Sequence, residues 1–148
     1  MKPQFVLSAF AMFLMSCAHP VVDPVTEGHE PLVVGQEFEL ELGESARIGE
    51  TEMVLSFDSV AEDSRCPRET TCVWEGNARL EFTLREYSNM GANMIEVLDG
   101  HIALNTSQRF EQQTKIPSGL LILRKLSPDR PVDAHSRYVA TMLIQEAK

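Results

Sequence analysis

The sequence predicts an all-β fold: an antiparallel sandwich of seven or eight short strands, immunoglobulin-like in general architecture, with a small β-barrel as the alternative. Three observations carry that expectation. Apolar residues recur at every second position in successive short segments, the spacing of a strand with one buried face. Beyond the N-terminal segment, no window of eleven or more residues keeps a capped 3.6-residue period, which predicts little or no helix. Turn-forming Gly, Pro and Asp-Gly pairs punctuate the segments, and a sandwich or barrel is the economical way for short strands to bury one face each.

Taken in order, Phe38, Leu40 and Leu42 alternate with Glu37, Glu39 and Glu41, placing the glutamates in water. Met53, Leu55 and Phe57 alternate with Val54, Ser56 and Asp58, and Ala78, Leu80, Phe82 and Leu84 with Arg79, Glu81, Thr83 and Arg85. Asp99-Gly100 lies between Met94–Leu98 and His101–Thr106, and Asp-Gly supplies the positive φ angles of a type I′ turn, so a tight hairpin is expected there. Leu120–Leu126 and Tyr138–Ile144 complete the set. Between them, Pro128 and Pro131 exclude a central strand or a helix interior.

The chain has 148 residues with 13 basic and 22 acidic side chains, which bounds it to one domain of ordinary size. Its net charge of −9 repels nucleic-acid phosphates and anionic lipid head groups, so nucleic acid is not expected as a partner.

Residues 1–16 read as a secretory signal peptide: Lys2, an apolar run from Phe5 to Met15, then the small residue Ser16. A run of eleven residues falls well short of the ~20 that span a bilayer as a helix. Leu14-Met15-Ser16-Cys17 resembles a bacterial lipobox, in which the cysteine is acylated and becomes the first mature residue. Cleavage there leaves 132 residues and, since Lys2 is the only charge lost, a net charge of −10. Lipoprotein sorting rules imply that Ala18 directs such a chain to the outer membrane, where lipid on Cys17 holds it facing the periplasm. Residues 17–34 carry Pro20, Pro24 and Pro31 without a sustained period and read as the lipidated cysteine and an extended tether, leaving residues 35–148 as the β domain.

The densest chemistry lies at VAEDSRCPRETTCVWEGNA, residues 60–78. With Cys17 lipidated, two thiols remain, and in an oxidising compartment Cys66 and Cys72 are expected to form a disulfide. Two sharper alternatives are a redox-active pair and a zinc site joining both cysteines to His101 and His135. The five-residue gap does not match the CxxC spacing of the first, nor do the histidines follow a ligand motif. His19 and His29 fall in the tether. Trp74, the sole tryptophan, is expected to pack over the disulfide as part of the core, with an exposed anchor as the alternative. Asp63 and Arg65 are spaced for a charge-assisted pair, and Gly76-Asn77 for a turn or bulge into the next strand.

DSRCPRETTCVWEGNARLEF resembles the signature of a family of small exported bacterial proteins, commonly predicted lipoproteins, with the pattern DSRCP, a short spacer, then CxWxGNA. The similarity extends to Met53–Val60, Leu104-Asn105-Thr106, LLILRKLSPDRP and RYVATMLI, most of residues 35–146. Glu75 stands where the pattern has alanine. The resemblance implies an exported β domain and carries no assigned biochemical activity.

For catalysis, the nucleophile elbow, the phosphate-cradling glycine loop, HExxH and the serine-lysine motif are all missing from the sequence, so no catalytic residues, cofactor or metal are expected, with an enzyme whose site follows no recognised motif as the alternative. Binding has one physical argument. A loop closed by a disulfide and stiffened by Pro67 is pre-organised and loses less entropy on binding. Arg65, Pro67, Arg68, Glu69, Thr70, Thr71 and Trp74 form the candidate surface, Arg68 to Thr71 presenting side chains to an envelope protein or a small ligand.

Overall fold

The period-two segments become strands in the computed structural model, which describes residues 30–67, 70–90, 93–129 and 137–146. Residues 1–29, which hold the expected signal peptide, Cys17 and most of the expected tether, lie outside the described residues, as do Arg68, Glu69 and His135. Eight strands form among those described: β1 (Glu37–Glu41), β2 (Ser45–Arg47), β3 (Met53–Asp63), β4 (Ala78–Met90), β5 (Asn93–Asn105), β6 (Gln113–Ile116), β7 (Gly119–Ser127) and β8 (Val139–Gln145). They make two four-stranded antiparallel sheets, ordered β1-β8-β7-β6 and β2-β3-β4-β5. The sheets do not close into a barrel, so the architecture is the sandwich.

Alternation places the core. Leu55 and Phe57 from β3, Leu80 and Phe82 from β4, Leu104 from β5, Leu121 from β7, and Met142 and Ile144 from β8 are fully buried between the sheets. The Phe57 and Phe82 rings stack with centroids 4.9 Å apart across paired positions. Burial of large side chains at ~25 cal/mol per Å² is the main favourable contribution here, as in any sandwich.

The structure corrects three expectations. Asp99-Gly100 makes no turn: Asp99 pairs with Arg85 and Gly100 with Leu84 inside a continuous β5, and Gly100 has no positive φ. Long-range pairing to β4 overrides the local turn preference. The ladder instead runs out to Met90 opposite Asn93, leaving positions 91 and 92 between the strands. Leu42, expected inside, is 41% exposed, because β1 ends at Glu41 and the chain turns through Gly43 (φ +88°) to cross to the other sheet. The domain also begins before residue 35. Leu32 is buried, bridges in parallel to Ile48 and donates its backbone N–H to the Arg47 carbonyl at 2.7 Å.

The strand directions give the sandwich two distinct ends. Leu32 enters beside Arg47 and Ile48, next to the start of β3. The described residues between β3 and β4, 64–67 and 70–77, lie at the other end, with the start of β4 and the ends of β5 and β7. Ten steps of ~3.3 Å along β3, shortened by its two bulges, separate the two ends by about 30 Å.

Candidate functional site

The segment linking β3 to β4 is fixed at three points. Asp63 ends β3, and two residues later Arg65 turns back so that Nε and Nη2 donate to the two carboxylate oxygens of Asp63 at 2.8 and 2.7 Å. The expected pair therefore forms as a two-pronged fork. Arg65 Nη1 also donates to the carbonyls of Leu126 (3.2 Å) and Pro128 (2.7 Å), where β7 has run past its β6 neighbour. One buried guanidinium thus ties the loop to the opposite sheet and covers carbonyls on an otherwise open strand edge. Tyr138 donates its hydroxyl to Asp63 at 3.1 Å. Burial raises the Asp63 carboxyl, but the Arg65 hydrogen bonds and charge outweigh it and leave the group below its usual 3.8. Burial, then the bond to Asp63, raises the Tyr138 hydroxyl above 10.0.

The second point is Cys66, disulfide-bonded to Cys72 with Cα atoms 5.8 Å apart. The pairing expected from compartment and count is present, and cysteines bonded to each other are not zinc ligands in this state. Among the described residues, no three His, Cys, Asp or Glu side chains gather as a metal site. His101, expected just after a turn, sits within β5 opposite Thr83.

The third point is Gly76-Asn77, the expected turn into β4. Gly76 has φ +75°, and a Cβ there would strike the Ser64 carbonyl oxygen and come within 2.7 Å of the Arg65 Cα. Only glycine permits so close a crossing. Asn77 accepts at its carbonyl from the Ser64 N–H (2.7 Å), while its amide donates to Asn105 Oδ1 (2.8 Å) and its side-chain oxygen accepts from the Ser107 N–H (3.1 Å). The loop is thereby joined to the segment after β5.

Between these points the chain projects outward. Val73 and Trp74 are 88% and 74% exposed. The expectation that the indole packs over the disulfide is overturned: the Phe57–Phe82 pair and aliphatic side chains already fill the sandwich, and the pinned residues on either side hold Trp74 outside it. Arg65, part of the candidate binding surface, is instead buried and committed to Asp63 and the β7 carbonyls. Pro67, Thr70 and Thr71 are exposed as expected, and Cys66 beside them is half-buried.

A groove of about 880 Å³ opens between this loop and β7. Thr70, Thr71, Val73, Trp74 and Glu75 form one wall; Thr106, Gln112 and the Leu123–Leu126 stretch of β7 form the other, with Asp129 beyond. Gln112, Arg124, Lys125 and Asp129 were not singled out from sequence. They reach the loop only through the sheet topology, and no local motif marks them. Lys125 pairs with Asp129 at 3.2 Å and Arg124 with Glu37 at 3.5 Å, both on the exposed surface.

A second polar cluster lies on the outer face of the other sheet. Thr83 donates its hydroxyl to Asp58 Oδ2 at 2.6 Å, and His101 Nδ1 lies 3.5 Å from the Thr83 hydroxyl oxygen. The short bond directs the Thr83 proton to the carboxylate and away from the imidazole, and Thr83 is buried. This is not the arrangement of an activated nucleophile.

Searches of family models, of curated proteins and of solved structures each return no match to the chain.

Proposed function

We propose that the protein is an exported, lipid-anchored binding module, held at the cell envelope through Cys17 and facing the periplasm, that captures a ligand or partner in the groove beside Trp74 without catalysis. The observation that carries the reading is an exposed indole on a loop immobilised at Arg65, at the Cys66–Cys72 disulfide and at Gly76. A large aromatic side chain left in water on a rigid support loses little conformational freedom when a partner covers it. The apolar segment at Phe5–Met15 and the lipobox-like residues before Cys17 support export and anchoring. A disulfide is compatible with that compartment.

The test passes envelope extracts over the immobilised full chain and over Trp74→Ala and Thr71→Ala variants. The reading expects a captured species that either variant loses while melting is unchanged. Equal capture by all three, or loss that tracks lowered melting, removes the groove as the site.

A further inference from the structure

The chemistry of the groove points to one class of occupant, and the inference rests on the binding-module reading above. Beside the indole, the walls offer hydroxyls (Thr71, Thr106), an amide (Gln112, whose Nε2 already donates to the Thr106 carbonyl at 2.9 Å and whose oxygen is left as an acceptor), carboxylates (Glu75, Asp129) and cations (Arg124, Lys125), with little exposed aliphatic surface apart from Val73. A lipid or other apolar ligand would meet too little apolar wall there. An anionic polymer would meet two carboxylates, and the groove cations Arg124 and Lys125 are already ion-paired to Glu37 and Asp129 on a chain of net charge −9. Strand addition by a peptide is closed off, because the β7 edge is already engaged: the Leu123 N–H donates to the Gln112 carbonyl at 2.8 Å and the Leu126 carbonyl accepts from Arg65.

A pyranose ring meets these walls. It has one flat face of polarised C–H groups, which the electron-rich face of an indole attracts, and a rim of hydroxyls that need both donors and acceptors. The groove is open, so it admits an internal stretch of an extended chain, the shape that β linkage gives a glycan, as readily as an end. Its placement agrees: the N-terminal residues enter at Leu32, and the groove lies about 30 Å away at the opposite end of β3. A polymer lying beyond the domain, away from its N-terminal attachment, meets the groove first. We propose that the groove binds a β-linked glycan chain, with a sugar ring stacked on Trp74 and its hydroxyls held by Thr71, Gln112 and Asp129.

Because Trp74 is the only tryptophan, it reports on its own occupancy. The full chain, in detergent, is titrated with β-linked tetramers of N-acetylglucosamine and of glucose while indole emission is followed. The expected result is a saturable emission change with at least one tetramer. By calorimetry, binding should be abolished in Trp74→Ala, partly kept in Trp74→Phe, and weakened about tenfold in Gln112→Ala at unchanged melting. No saturable change with either tetramer, or binding that Trp74→Ala leaves intact, overturns the glycan assignment. A photo-cross-linking residue at position 74 in living cells separates the two levels of the claim. A specific protein adduct there, with no tetramer binding, overturns the glycan and keeps the binding module; absence of both removes both.

Discussion

Arg65 grips both carboxylate oxygens of Asp63 while its remaining nitrogen reaches across the sandwich to the carbonyls of Leu126 and Pro128. The two residues stand two apart in sequence, yet the pair joins one sheet to the other and sets the angle at which the disulfide loop leaves β3. Removing one partner leaves a buried charge uncompensated, at a cost of about 3 kcal/mol. Arg65→Ala is therefore expected to lower the thermal midpoint by roughly 10 °C. Arg65→Lys should recover only a minor part, since an ammonium cannot reproduce the fork. Thermal unfolding followed by circular dichroism checks both.

The same pair makes stability depend on pH with a definite sign. The Asp63 carboxyl lies below its ordinary 3.8 in the fold, so its contribution is complete above that value and lost as pH falls through the lower folded one. The gap in melting temperature between the native chain and Asp63→Asn should be constant near neutrality and narrow below about pH 4. Tyr138, raised above 10.0, contributes below that value and ceases to as pH rises through the higher folded one. The gap to Tyr138→Phe should accordingly narrow only in alkali.

Two glycines with similar φ separate steric contact from backbone strain. Nothing lies within 4 Å of the place a Cβ would take on Gly43 (φ +88°), whereas on Gly76 (φ +75°) it would meet the Ser64 and Arg65 backbone. Gly43→Ala should cost about 1 kcal/mol of left-handed strain. Gly76→Ala should cost about 3 kcal/mol or more and disturb the Arg65 clamp, as denaturant titration of both variants would measure.

The loop and its indole should differ sharply in their effects on stability. Opening the seven-residue disulfide ring by replacing Cys66 and Cys72 with Ala should cost roughly 2 to 2.5 kcal/mol on the loop-entropy argument. Trp74→Ala should change stability by less than about 0.5 kcal/mol, because the side chain is exposed; a packed tryptophan would cost about 3–5 kcal/mol. Denaturant titration of the two variants beside the native chain measures the difference.

Much of the fold was legible from alternation alone, since a buried face imposes a period of two wherever strands are long enough to show it. β3, β4, β7 and β8 appear close to their expected places. β2 and β6 have three and four residues, too few to display a period. Asp99-Gly100 misled because a local turn preference is weak against a ladder of long-range pairs. In the site, Asp63, Arg65, Cys66, Cys72 and Gly76 were legible because each acts within a short stretch of chain. Gln112, the Leu123–Leu126 wall and Asp129 were not, since only the pairing of distant strands brings them to the loop. Trp74 reads as inward from its place beside the disulfide, whereas its direction depends on how the flanking Cys72 and Gly76 are anchored.

A pre-organised binding surface requires an indole that is exposed and yet held still. Acrylamide quenching and time-resolved anisotropy of the single tryptophan measure both properties in one sample of the folded chain. The expected result is quenching close to that of the denatured chain, together with anisotropy that decays at the tumbling rate of the whole domain. Emission shielded from quencher would put Trp74 back over the disulfide, and fast local depolarisation would mean a loose loop; either result contradicts a pre-organised binding surface.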